Sequence, residues 1–129
     1  MAPGVLIVDD NSLFLDAARD LLEREGMRVV GVASTSAEAL RHTAELRPEV
    51  ILVDISLGAE SGFELAVRLV ERDCGGAAAV ILISTHSEDD FAELIAESPA
   101  AGFLPKSELS ANAIRRIANG RGSGGGEGT

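Results

Sequence analysis

Three runs of four apolar residues, each ending abruptly in polar side chains, constrain the fold of this chain more than any other feature. Val5-Leu6-Ile7-Val8 runs into Asp9-Asp10, Val50-Ile51-Leu52-Val53 into Asp54, and Val80-Ile81-Leu82-Ile83 into Ser84. A strand with one wet face alternates apolar and polar residues, whereas a run without alternation reads as a strand covered on both faces. Such strands belong to a parallel sheet between layers of helix, and their polar last residues emerge together at the sheet's carboxyl edge.

The intervening segments read as helices and edge strands. Asn11 or Ser12 caps a helix with Phe14, Ala18, Leu21 and Leu22 on one face, stopped by Gly26. Met27 to Ala33, with Arg28 and Gly31, suits a less buried edge strand. Thr35-x-x-Glu38 has the form of a capping box and opens a helix to about Leu46, closed by Pro48. A loop containing Gly58 follows Asp54, and Ser61-x-x-Glu64 then opens a helix with a Phe63, Ala66, Val67, Val70 stripe, broken at Asp73-Cys74-Gly75-Gly76. Ser87 caps a helix to about Ser98 with Phe91, Leu94 and Ile95 inward and Glu88, Asp89 and Asp90 at its positive end. Gly102 to Leu104 is a short fifth strand, with Pro105 tolerable at its end. The last helix spans roughly Glu108 to Ala118 with Ala111, Ile114 and Ala118 buried. From Asn119 the Gly-rich text to Thr129 predicts a disordered tail, leaving residues 1–118 as one domain.

Strands alternating with helices give a right-handed α/β fold. The three continuous runs take the centre and the second and fifth strands the edges, so the order is 2-1-3-4-5. The predicted class is a flavodoxin-like, doubly wound (βα)5 three-layer sandwich. In this order a crevice opens beyond the carboxyl ends of the first and third strands, where their connections diverge.

Composition narrows the partners. With 21 acidic against 11 basic residues the formal charge is −10, which argues against direct nucleic-acid binding and for cations or basic protein faces. Lone Cys74 cannot pair within the chain, there is no secretory signature, and no stretch approaches bilayer-spanning length, so a cytoplasmic location is expected. Lys106 is the one lysine among those basic residues, so any chemistry needing an ammonium has a single candidate.

Asp9, Asp10 and Asp54 meet in the predicted crevice, with Ser84 from the fourth strand and Lys106 from beyond the fifth. Close carboxylates repel by roughly 1 to 4 kcal/mol per pair in a wet site, so a cation is expected among them. An acidic all-oxygen site that also takes phosphate suits Mg²⁺, or Mn²⁺ in its place. A carboxylate nucleophile, a metal, a hydroxyl and an ammonium around one point are the parts of a phosphoryl-transfer site, where positioning and charge neutralisation carry the chemistry.

With those residues in view, the chain resembles the receiver domain of bacterial two-component response regulators over residues 4 to about 118. The spacings from Asp10 to Asp54, to Ser84 and to Lys106 all agree. The resemblance implies that Asp54 takes a phosphoryl group from a histidine kinase or phosphotransfer protein. It also implies that Asp10, Asp54 and the Ser56 carbonyl bind the metal directly, with Asp9 acting through water. Ser84, Lys106 and Phe103 would be the switch residues that reshape the surface of the fourth helix, fifth strand and fifth helix for an unidentified downstream protein. Ser56 and His86 would influence phosphoryl lifetime. Self-association after phosphorylation is left open.

Some features depart from the family's usual pattern. Pro105 precedes the lysine and Ser107 follows it, a GFLPKSEL text similar to receivers that precede helix-turn-helix output domains. Phe103 replaces the commoner tyrosine, which keeps the rotation but removes a hydroxyl contact to a partner, and Gly58 stands where proline is usual.

Taken singly, Asp9-Asp10 also suits a helix N-terminus, Phe103 a plain core position, and Lys106 a solvated surface. The joint arrangement favours a standalone, phosphorylation-switched receiver that is not a turnover enzyme. The alternatives are a receiver-like adaptor indifferent to phosphate and a receiver taken from a DNA-binding regulator. An aspartate-nucleophile phosphatase would show Asp-x-Asp after its first strand, and a flavin site a Ser/Thr/Gly cradle, where this chain has Asp9-Asp10.

Overall fold

A computed structural model describes residues 4–72, 78–85 and 88–123. Strand β1 (Gly4–Val8) leads to helix α1 (Ser12–Arg24), and β2 (Arg28–Ala33) to α2 (Ser36–Leu46). Next come β3 (Val50–Asp54) with α3 (Gly62–Arg72), β4 (Ala79–Ser84) with α4 (Ala92–Glu97), and β5 (Gly102–Pro105) with α5 (Ala111–Ser123). The five strands are parallel in the order β2-β1-β3-β4-β5, the expected doubly wound, flavodoxin-like arrangement.

The unbroken apolar runs divide between two cores by strand alternation. Val5, Ile7, Val50, Leu52, Ile81 and Ile83 point into one cluster with Leu15, Ala18 and Leu22 of α1 and Ile114 of α5. Leu6, Val8, Ile51, Val53, Val80 and Leu82 point the other way, against Ala39 of α2 and Leu65, Ala66 and Leu69 of α3. Both faces are dry, so every residue in the runs is apolar.

Register sets the level of the site. Val8 pairs with Val53, Asp54 with Ile83, and Ser84 with Pro105. The residues that end or follow these strands therefore arrive side by side at the carboxyl edge.

Several local expectations need correction. The buried face of α3 is Gly62, Leu65, Ala66 and Leu69, while Val67 and Val70 are 40% and 38% exposed. Ala66-Val67-Val70 and Leu65-Ala66-Leu69 have the same helical spacing one residue apart, and only packing on the sheet selects between them. The segment before α4 is a 3-10 turn, Glu88–Phe91, and Leu94 is half exposed; Phe91 and Ile95 alone pack inward, being four apart on one face. Ser87 and Cys74 lie outside the described residues.

The stretch after Asp54 is more ordered than a plain loop. Ser56–Leu57 pairs antiparallel with Glu60–Ser61, turning through Gly58 at φ 60°. The Glu60 carboxylate accepts from the Ser36 N–H at 2.9 Å, anchoring this small hairpin to the start of α2.

At Thr35 the cap forms as expected, with its hydroxyl accepting from the Glu38 N–H. Glu38 reaches back to the Ser34 N–H at 2.8 Å instead of closing on Thr35. That backbone hydrogen bond, with the Ser34 hydroxyl, holds the Glu38 carboxyl below its ordinary value.

Lys106–Glu108 form a 3-10 turn, so the last helix starts at Ala111 and not at Glu108. Helix α5 continues through residues 119–123, past the expected boundary at Ala118, because each added residue of a formed helix gains a backbone bond. Residues 124–129 of the expected tail lie outside the described residues.

Candidate functional site

Asp9 follows β1, and its backbone N–H donates to the Ala33 carbonyl of β2, extending the sheet by one residue. Its Oδ1 accepts from the Asn11 N–H at 2.8 Å, and Asn11 in turn caps α1 through the N–H groups of Leu13 and Phe14. The Asp9 side chain is fully buried and fixed by the turn it precedes. Asp10, next to it, is exposed.

Asp54 ends β3 and is buried. Its Oδ1 accepts from the Ser56 N–H at 3.0 Å, and its Oδ2 accepts from the Lys106 ammonium at 3.2 Å. Lys106 also pairs with Asp9 Oδ2 at 2.5 Å. The buried Asp9 Oδ2 is thereby held against the ammonium and makes no further hydrogen bond among the described residues. One carboxylate oxygen from each of Asp9, Asp10 and Asp54 lies within 4.8 Å of the others.

The electrostatics follow from crowding and burial. Desolvation pushes the Asp54 carboxyl above its ordinary value and the Asp9 charge adds to the rise, against the Ser56 N–H and Lys106, which lower it. For Lys106, burial alone would lower the ammonium's pKa. Its hydrogen bond to Asp9 and the charges of Asp54 and Asp9 outweigh burial and hold it above the ordinary lysine value. The ammonium thus supplies part of the positive charge that three clustered carboxylates require.

Ser84 is buried at the end of β4, one residue beyond the partner of Asp54. Phe103 on β5 is buried in the core cluster on the α2 and α3 side. Ser56 is exposed at the rim, in the hairpin after Asp54. His86 lies outside the described residues.

Two residues beside the site carry more than their sequence positions suggested. The Phe14 ring lies under the Lys106 ammonium, 4.2 Å from ring centroid to Nζ. Gly62 packs directly on the backbone of Asp54 and Ile55, and its N–H donates to the Ile55 carbonyl at 2.9 Å. Helical periodicity marked Phe14 only as a buried-face residue, and Gly62 carried no signal beyond its position near a helix start.

The family profile described as Response regulator receiver domain matches residues 5–118. The chain is 31% identical to Response regulator GacA of Pseudomonas aeruginosa over 117 residues, 88% of this chain and 54% of that protein. It is 30% identical over 122 residues to Transcriptional regulatory protein DesR of Bacillus subtilis, 92% of this chain and 59% of that protein. It therefore spans little more than half the length of these relatives. A two-component response regulator of the LuxR family from Aurantimonas superposes with a TM-score of 0.82 at 29% identity, covering 94% of this chain and 88% of the other.

Proposed function

The chain belongs to the response regulator receiver domain family, and from that premise we propose that Asp54 is its phospho-acceptor, loaded by a histidine kinase or phosphotransfer protein. The observation that carries this reading is the convergence of Asp54 with the Lys106 ammonium and with the oxygens of Asp9 and Asp10. An Asp54 carboxylate oxygen forms the new O–P bond while the P–N bond to the donor's phosphohistidine breaks. The imidazole nitrogen leaves with the electron pair and takes up a proton, and an acyl phosphate remains on Asp54. Lys106 and the Ser84 hydroxyl pair with the phosphoryl oxygens, which draws the ends of β4 and β5 toward them. With Phe103, that movement reshapes the α4-β5-α5 surface read by a downstream protein.

The donor set fits Mg²⁺: acidic and all oxygen, with one carboxylate oxygen from each of Asp9, Asp10 and Asp54 within 4.8 Å of the others. Asp10, Asp54 and the Ser56 carbonyl would hold the ion, with Asp9 through water. When bound, the ion neutralises the carboxylates and the incoming phosphoryl oxygens. Ser56 at the rim, with His86, sets the access of water to the acyl phosphate. Residues 1–118 form this receiver, with the rest of α5 extending it. No described helix is long and apolar enough to cross a membrane, and the cytoplasm is the proposed location. The charge of −10 disfavours direct nucleic-acid contact.

Incubation with Mg²⁺ and acetyl phosphate tests the reading. One hydroxylamine-labile phosphate per chain is expected, absent from Asp54→Asn; equal incorporation in that variant would overturn it. A second reading, in which the chain is the receiver portion of a DNA-binding regulator, is favoured by the share of DesR that it spans. Immunoblotting the native protein for its full length separates that from a freestanding receiver.

A further inference from the structure

We propose that Phe14 is a positioning residue whose ring holds the Lys106 ammonium over the crevice in which Asp54 is phosphorylated. The proposal rests on the phospho-acceptor reading of Asp54. Lys106 is mostly enclosed, with a 13% exposed side chain, and its ammonium has carboxylate neighbours in Asp9 and Asp54 and the Phe14 ring face as a third. A cation at 4.2 Å from a ring centroid is attracted by the negative face of the π-system.

The ring is well placed to act as a fixed support. Phe14 sits in the first turn of α1, and its own N–H donates to the Asn11 cap at 3.3 Å. Its side chain packs against the core cluster shared by α1 and α5. The same turn that fixes Asp9 through the Asn11 N–H therefore fixes the ring.

The ring also differs in kind from the other two partners. Asp54 is the group that reacts, and Asp9 is expected to turn toward a cation, so both carboxylates change their demands on Lys106 during the reaction. Phe14 is neutral and unreactive. It attracts the ammonium without accepting any of its three N–H bonds in regular geometry, so those donors remain available to phosphoryl oxygens. An aliphatic residue would fill the same volume but lacks the quadrupole.

The test measures the rate of Asp54 phosphorylation by acetyl phosphate with Mg²⁺ in Phe14→Leu, Phe14→Tyr, Lys106→Ala and the Phe14→Leu/Lys106→Ala double variant. Phe14→Leu is expected to slow the reaction about three- to tenfold, the range of a partly desolvated cation–π contact, and Phe14→Tyr to restore most of it. In the Lys106→Ala background the Leu substitution should change the rate less than about twofold, because the contact it removes is already gone. Full rate in Phe14→Leu, a Tyr variant as slow as Leu, or the same loss in both backgrounds would each overturn the proposal. Should Phe14→Leu fail to fold, Phe14→Met serves in its place with the same expectations. If the wild-type chain takes no phosphate at Asp54, the proposed function fails. The positioning contact is then judged by melting temperatures of the wild type, Phe14→Leu, Lys106→Ala and the double variant: non-additive shifts support it and additive shifts overturn it.

Discussion

Glu25, one residue beyond α1, accepts a 2.7 Å hydrogen bond from the backbone N–H of Ala111, the first residue of α5. The two helices share one face of the sheet. A residue that closes one helix thereby satisfies a free N-terminal donor of the other, beside the Ser110 hydroxyl that accepts from the Ala113 N–H. Glu25→Ala is expected to cost about 1 kcal/mol, the usual worth of a lost cap. Glu25→Gln, which keeps an acceptor, should recover most of that. Urea unfolding of the three proteins checks it, and an unchanged midpoint for Glu25→Ala would contradict the cap.

Gly62 packs so closely on the site that a Cβ there would overlap the Asp54 carbonyl oxygen and lie 2.6 Å from the Ile55 Cα. Backbone atoms cannot step aside as a flexible side chain can. Gly62→Ala should therefore destabilise by about 1 to 3 kcal/mol, the cost of overpacking. It should also slow phosphorylation, because the displaced backbone carries Asp54. Chemical unfolding and the acetyl phosphate assay read the two effects separately.

Much of this architecture was legible because it follows from local patterns. Unbroken runs such as Val50 to Val53 mark strands with two dry faces, and strand ends bring Asp9, Asp54, Ser84 and Lys106 to one edge. What remained hidden depends on contacts between distant segments. Val67 and Leu69 are both apolar residues of α3, and only the sheet beneath decides which is buried. Glu25 capping Ala111 leaves no local trace. The hairpin at Ser56–Ser61 involves too few residues to give a periodic signal, and Phe14 serves both the core and Lys106 while its spacing reports only the core.

The raised pKa of Asp54 sets a pH dependence with a definite sign. Burial favours its protonated form, so the folded protein holds this proton more tightly than the unfolded chain. The resulting stabilisation is fully present below the ordinary aspartate value, near 3.8, and is lost as pH rises through the raised folded value. In metal-free buffer, wild-type stability should fall relative to Asp54→Asn across that window and run parallel to it on either side. Urea midpoints measured on both proteins along a pH series check this; a wild type that gains on the variant as pH rises would contradict it.

Comparing the chain with and without Mg²⁺ should reveal how much of the site's repulsion a cation there would relieve. Asp9, Asp10 and Asp54 present oxygens within 4.8 Å of one another, and Lys106 reaches Asp9 and Asp54. Exposed Asp10 has no ion pair among the described residues, so its charge is the one most in need of a metal. Mg²⁺ that binds only the folded state stabilises it by mass action, about 2.7 kcal/mol at a hundred times Kd, or roughly ten degrees in melting temperature. Na⁺ at equal ionic strength screens the same charges without bridging them and should give a much smaller rise. Asp10→Asn removes one ligand and one repelling charge from an exposed position, so it should melt at or above the metal-free wild type yet lose most of the Mg²⁺ response. Melting curves in EDTA, Mg²⁺ and Na⁺ distinguish these outcomes. An Asp10→Asn protein that keeps the full Mg²⁺ shift would place the cation away from this cluster.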